Sequence, residues 1–223
     1  MCIKKWWKRI FVAICLLCLA CAVVVPTMVV GNSSTSKVVI DAGHGGLDGG
    51  VSSKNGVKES DLVLVLARLV GERLEGAGVK VVYTRKNKGA LIGGKFIKKR
   101  DMEKRLAIIK RANPSLVVSI HLNSYKDKSR RGMQVFFGVE QSKGVAEHLQ
   151  EQLNNHFNEP DVGRRFSVLQ GDKYILNESP CPALIVECGF LSNPIDEQNL
   201  LSDTYRNQLA EVLCSSILSF VGE

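Results

Sequence analysis

Apolar positions in this chain fall into short continuous runs separated by stripes of helical period. Residues 37–41 (KVVID) form a nearly unbroken apolar run ending in glycines, the mark of a buried strand. Residues 59–77 place Leu62, Val65, Leu66, Leu69, Val70 and Leu74 on one helical stripe, with Ser60 or Asn55 available as a cap and Gly76 and Gly78 at its end. The next strand is predicted over 79–84, then a basic amphipathic helix over 98–112 with Leu106, Ile109 and Ala112, stopped at Asn113-Pro114. A strong buried strand follows at 115–121, another at 132–138, and a helix at 142–157 with Val145, Leu149 and Leu153. A short strand near 167–169, a last core strand at 183–187 (ALIVE) and a final helix over 196–220 complete the pattern. Strands separated by helices predict an α/β fold with a mainly parallel sheet and helices on both faces. In such sheets, ligand groups gather at the carboxyl ends of the strands.

The N-terminus follows a different pattern. Lys4, Lys5, Lys8 and Arg9 flank Trp6 and Trp7, and residues 10–36 then carry no charge. The apolar run 10–30 has the length of a helix that crosses a bilayer. Positive charge before it predicts a cytoplasmic tip and an extracytoplasmic remainder, with the tryptophans at the interface. Ala20-Cys21-Ala22 offers a signal-peptidase site, but the run stays apolar past it, which favours an uncleaved signal anchor. Cys18 and Leu19 precede Ala20 in the wrong order of types for a lipoprotein site at Cys21. The expected division is therefore residues 1–36 as tip, anchor and linker, and residues 37–223 as one folded domain. Cys2, Cys15, Cys18 and Cys21 belong to the anchor region. Cys181, Cys188 and Cys214 are too few and too irregular for a disulfide framework.

Composition narrows the function classes. At 223 residues, with 45% hydrophobic and 23% charged residues, the chain allows one globular domain plus a short segment. The net charge is +8, but removing the four N-terminal cations from the 30 basic residues leaves 26 against 22 acids. A +4 domain suits an acidic polymer or a bacterial surface and is far too weakly basic to argue for nucleic acid.

Polar residues interrupt the apolar runs at one edge of the predicted sheet. His44 follows the first strand in DAGHGG, His121 closes the third in VVSIH, and Glu187 closes the last in ALIVECGF. Glu59 starts the first long helix, which can pack beside the same edge. Two imidazoles and a carboxylate form a zinc set when a fourth position is left for water, and a second carboxylate supplies a general base. From the residues alone, which carboxylate takes which role stays open. A lone strand-end histidine is more often a hydrogen-bonded core residue, and a helix-start glutamate is usually a dipole partner. Their joint occurrence changes that balance, together with the cost of burying Glu187 after four apolar residues. His148 and His156 lie among Glu147, Gln150 and Asn155 and read as a solvated helix face.

Three other patterns carry no chemistry. Gly43-His44-Gly45-Gly46 lacks the third glycine of a dinucleotide loop at Asp48. Gly89 to Lys95 has phosphate-loop spacing, but Phe96 stands where a magnesium-binding hydroxyl is needed; residues 87–95 read instead as a mobile lid near the site. Strand alternation turns Cys188 away from Glu187 and into the core.

VVIDAGHGG, GVKESDLVLVLA, VVSIHLNS and ALIVECGFLSNP, in this order, resemble the zinc-dependent N-acetylmuramoyl-L-alanine amidases of bacterial cell walls, over residues 37–223. The resemblance implies a mixed sheet of about six strands, one Zn2+ per domain held by His44, Glu59 and His121, and Glu187 as the catalytic acid/base. It implies peptidoglycan as substrate, cut at the amide between the lactyl group of N-acetylmuramic acid and L-alanine. Asn123, Arg131 and Asn193 fall on recurring family positions and are candidate substrate-binding residues; Thr84-Arg85 and Asn113 are further scaffold or positioning candidates. With one anchor and no wall-binding repeats, the chain is most similar to the germination-specific amidases of spore formers, implying action in spore cortex outside the cytoplasmic membrane. Single-domain size also suggests an activating or localising protein partner. The rival readings are another zinc peptidase of the wall and a non-catalytic wall-binding or partner-activating module.

Overall fold

The computed structural model describes residues 36–89, 91, 92 and 96–222. Within them the chain folds into one α/β domain. Its strands are β1 (Lys37–Ala42), β2 (Lys80–Tyr83), β3 (Leu116–Asn123), β4 (Gln134–Phe137), β5 (Leu169–Gln170) and β6 (Ala183–Phe190). Its helices are α1 (Glu59–Gly76), α2 (Lys98–Ala112), α3 (Lys143–Leu153), α4 (Tyr174–Glu178), α5 (Pro194–Leu201) and α6 (Asp203–Val221). The sheet order is β2-β1-β3-β6-β4-β5. β1, β2, β3 and β6 run parallel, β4 is antiparallel to β6, and β5 is parallel to β4. The sheet is thus mixed and six-stranded.

Side-chain alternation divides the core in two. On one face Val38, Ile40, Val118, Ile120, Leu184, Val186 and Cys188 pack beneath α1, α3 and α6. On the other, a smaller cluster of Val39, Val117, Ala183 and Ile185 meets Ile109 of α2 and Ile175 and Leu176 of α4. Asp41, Ser119, His121 and Glu187 continue the alternation of this second, thinner face. Helices therefore cover both faces, but the second leaves the carboxyl ends of β1, β3 and β6 open.

Several boundaries differ from the sequence pattern for local physical reasons. α1 is preceded by Lys58, which makes no side-chain cap; neither Ser60 nor Asn55 serves. The helix expected over 142–157 leaves α geometry after Leu153 and continues as a π-helical segment, Asn154–Val162. Pro160 has no N–H to donate to the preceding turn, which favours the wider winding. The final helix is two helices, because Ser202 is extended (φ −76°, ψ 125°) and its hydroxyl accepts from the Tyr205 amide. β6 runs three residues past Glu187, to Phe190.

A ladder of three buried amides holds β4 in place. Gln150 accepts from the Val135 amide at 2.7 Å and donates to the Met133 carbonyl, while Asn158 accepts from the Met133 amide at 2.7 Å. Asn154 joins them, accepting from both Gln150 and Asn158.

No helix of the described residues is long and apolar enough to cross a membrane. The expected anchor, residues 10–30, lies outside the described residues, as do Ala90 and residues 93–95 of the expected lid.

Candidate active site

The site begins where β1 ends. His44 takes a left-handed backbone (φ 60°), unusual outside glycine, and two buried arginines hold the turn that presents it. Arg85 donates to the carbonyls of Ala42 (2.9 Å), Gly43 (2.8 Å) and Ser60 (2.8 Å). Arg105 donates to those of Ala42 (2.8 Å) and His44 (2.6 Å). Arg105 also pairs with Asp41 at 2.5 Å and Asp101 at 2.7 Å. Ser119 and Thr84 donate to Asp41 at 2.5 and 2.6 Å. Burial alone would raise the Asp41 carboxyl, but Arg105 and the two hydroxyls outweigh it and hold it at about 2. Burial and the Arg105 charge lower Arg85 to about 10, still protonated at neutral pH. The residues behind the His44 loop are thus charged, paired and rigid. This network escaped the sequence pattern, which showed 98–112 as a basic helix. The Asp101–Arg105 spacing of four was its one local sign.

Glu59 joins the histidines. Its Oε1 lies 3.2 Å from His44 Nε2 and 3.0 Å from His121 Nδ1, and the His44 and His121 rings stand edge to face with centroids 5.0 Å apart. The same Oε1 accepts from the Leu122 amide (3.0 Å), and Oε2 from the Val51 amide (2.9 Å). Burial would raise this carboxyl, yet the bonds to His121 and His44 dominate and hold it well below the usual range. His44 moves the opposite way: burial lowers it, but Glu59 and Asp48 prevail and raise it. The Asp48 carboxylate lies 2.9 Å from His44 Nδ1, off the line of a hydrogen bond.

Two glycines make room for this group. A Cβ on Gly43 would fall 2.3–2.6 Å from the His121 ring, and one on Gly50 (φ 67°) would lie 2.4 Å from Glu59 Oε2.

Donor atoms of His44, Glu59 and His121 all lie within 4.8 Å of one another. Two ligands about 2.1 Å from a tetrahedral zinc stand about 3.4 Å apart, close to the observed 3.0–3.2 Å separations. Two imidazole nitrogens and a carboxylate oxygen are also the donor chemistry that zinc favours. The residues therefore fit such an ion.

Glu187 stands beside them. It pairs in register with His121 across β3 and β6, and with Gln134 across β6 and β4. Its Oε2 is sealed from solvent and has no hydrogen-bond partner among the described residues. Burial pushes its carboxyl above the usual range, against the nearby His121 charge. His44, His121 and Glu187 line one cleft of about 430 Å³, whose walls include Asn123, Phe136 and Tyr174. Cys188, the next residue, is 1% exposed in the core on the opposite face.

Of the three candidate substrate-binding residues, only Asn123 reaches this cleft. Asn193 instead caps α5, accepting from the amides of Ile195 and Asp196 and donating to the Lys128 carbonyl. Arg131 lies 3.5 Å from Asp196 and lines a different groove with His156 and Tyr205. Asn113 is a left-handed helix cap. His148 and His156 are exposed, as their pattern predicted. Residues 87–89 lie against the His44 loop, the Gly46 amide donating to the Lys88 carbonyl at 2.7 Å.

The chain is similar to several known proteins. The chain is 29% identical over 193 residues to the germination-specific N-acetylmuramoyl-L-alanine amidase of Bacillus subtilis, covering 83% of this chain and 80% of that one. It is 31% identical over 187 residues to the uncharacterized protein YqiI of the same organism, covering 82% and 84%. Among solved structures, the CwlD amidase of Clostridioides difficile, determined in complex with the GerS lipoprotein, superposes with a TM-score of 0.76 at 27% identity, covering 84% of this chain and 98% of that one. The N-acetylmuramoyl-L-alanine amidase family matches residues 38–219, nearly the whole described domain, and this chain is an enzyme of that family.

Proposed function

We propose that His44, Glu59 and His121 hold one zinc ion, and that Glu187 is the proton carrier in cleavage of the lactyl–L-alanine amide of peptidoglycan. The observation that carries this reading is the sealed, unpartnered Oε2 of Glu187, set in register beside His121 in the cleft that both histidines of the donor cluster line. A carboxylate oxygen sealed from water without a partner is costly, so a purely structural role does not account for it.

When bound, the ion supplies Lewis-acid polarisation and a water acidic enough to react at neutral pH. Glu187 then has two duties. Its carboxylate takes the proton as water attacks the lactyl carbonyl, and it returns that proton to the L-alanine nitrogen, which leaves poorly unless protonated. Arg85 and Arg105 keep His44 aimed by saturating the carbonyls of its turn. Asn123, at the end of β3, is placed to orient the substrate.

The relatives support a narrower setting. A germination-specific amidase and an amidase solved with a lipoprotein both resemble this chain, consistent with a role in spore cortex and with a protein partner that activates or localises the enzyme. Action on peptidoglycan is extracytoplasmic, in keeping with residues 1–36 as tip, anchor and linker ahead of the catalytic domain.

Mass spectrometry of peptidoglycan treated with the full-length protein tests the chemistry. Intact stem peptides and peptide-free glycan are expected. Cuts inside the stem would favour a peptidase and overturn this reading.

A further inference from the structure

The cleft holds two cations with no present use. Lys98, at the start of α2, and Lys173, just before α4, both line it. Apart from Glu187, its acids are otherwise engaged: Asp41 and Asp101 are paired with Arg105, and Asp48 faces His44. Among the described residues neither lysine has a carboxylate within 4 Å, although other surface lysines, such as Lys88 with Asp61, do. Lys173 is close enough for its charge to be felt at Glu187.

We propose that Lys173, assisted by Lys98, forms an anion-binding subsite that takes carboxylates of the peptide being released and makes the enzyme selective for acidic stems. The inference rests on Glu187 being the group that protonates the leaving amine. That acid must sit on the amine side of the scissile bond, so the peptide departs past it. A cation beside Glu187 therefore faces the peptide and not the sugar. Exposed Tyr174, adjacent to Lys173 in the same wall, adds a phenol that can donate to the same carboxylate. Because both lysines are exposed, the attraction is partly screened and amounts to about a five- to tenfold preference.

The full-length protein is assayed on N-acetylmuramoyl-L-alanyl-D-glutamate and on its diamide, which differ only in carboxylate charge. The wild type is expected to favour the dicarboxylate in kcat/KM, mainly through KM, with the preference shrinking as salt rises. Lys173→Met should bring the ratio of the two kcat/KM values toward one, Lys98→Met should lower it less, and Lys173→Glu should take it below one. A wild-type ratio near one would overturn the proposal. So would an equal loss on both substrates in Lys173→Met, which would mean that Lys173 acts on the charge of Glu187 instead. Glu187→Gln, run alongside, separates the two readings: retained turnover there refutes the proton-carrier role, and the subsite orientation with it.

Discussion

His121 and Glu187 are register partners on adjacent parallel strands, so a candidate metal ligand and a candidate proton carrier project side by side from the same face of the sheet. Parallel pairing holds them at the spacing of neighbouring strands whatever the loops do. Glu187→Gln preserves shape and pairing while removing the charge. It should retain zinc and an unchanged melting temperature but lose about 10²–10⁴-fold in turnover. Zinc content, a melting curve and muropeptide release on one preparation decide the matter. A folded, zinc-loaded variant with near wild-type rate would end the assignment.

Removing a donor should have the opposite signature. His44→Ala, His121→Ala and Glu59→Ala each leave two ligands, too few to hold zinc well, so metal content should drop sharply in all three. Metal analysis after dialysis checks this. Loss of zinc in Glu187→Gln but not in Glu59→Ala would show the two carboxylates to be exchanged.

Gly43→Ala would put a methyl group 2.3–2.6 Å from the His121 imidazole. The ring must swing away from Glu59. Zinc affinity should fall by about ten- to a hundredfold, the scale of disturbed ligand support, and competition with a chelator measures it. Wild-type affinity would mean the turn yields instead of the ring.

Asp41 predicts an acid limb of stability. Its folded carboxyl titrates at about 2, below its usual 3.8, so between these values the unfolded chain binds more protons than the folded one. The contribution is complete above about pH 4 and disappears as pH falls through 2, and the shift is worth about 2 kcal/mol. Asp41→Asn, which strands Arg105 in the interior, should cost about 3–5 kcal/mol at pH 7 and flatten this limb. Urea unfolding of both proteins from pH 7 to 2 provides the comparison.

The N-terminal segment should keep the full-length protein in the membrane fraction, resistant to salt and alkaline washes. Sequencing the mature N-terminus distinguishes an anchor from a leader. A start near Val23 would show cleavage.

Strand order of appearance and the edge that carries His44, His121 and Glu187 were legible because buried parallel strands announce themselves as apolar runs, and a titratable residue closing such a run is conspicuous. Glu59 was a candidate from its place at the start of the helix, but its role as a ligand was legible only by resemblance. A first-turn acid is ordinary in sequence, and only the fold brings it to His121, 62 positions away. Arg105 was hidden for the converse reason: its partner Asp41 lies 64 residues upstream, so local pattern showed a charged helix where the structure has a buried ion network. Arg131 and Asn193 were candidates by resemblance, yet one approaches Asp196 and the other caps α5. A resemblance in motif marks scaffold as readily as contact with substrate.

The amide ladder of Gln150, Asn154 and Asn158 gives the far wall of the cleft a single possible alignment. β4 is short, and slipping it by one residue would exchange the faces of Gln134 and Val135 opposite Glu187. Uncharged amides bonded to Met133 and Val135 forbid that slip, since any shift leaves buried donors and acceptors empty. Their hold is insensitive to pH and to ionic strength. The β4 side of the environment of Glu187, the candidate proton carrier, is therefore fixed by side chains that neither titrate nor respond to salt, an advantage for an enzyme of the cell wall.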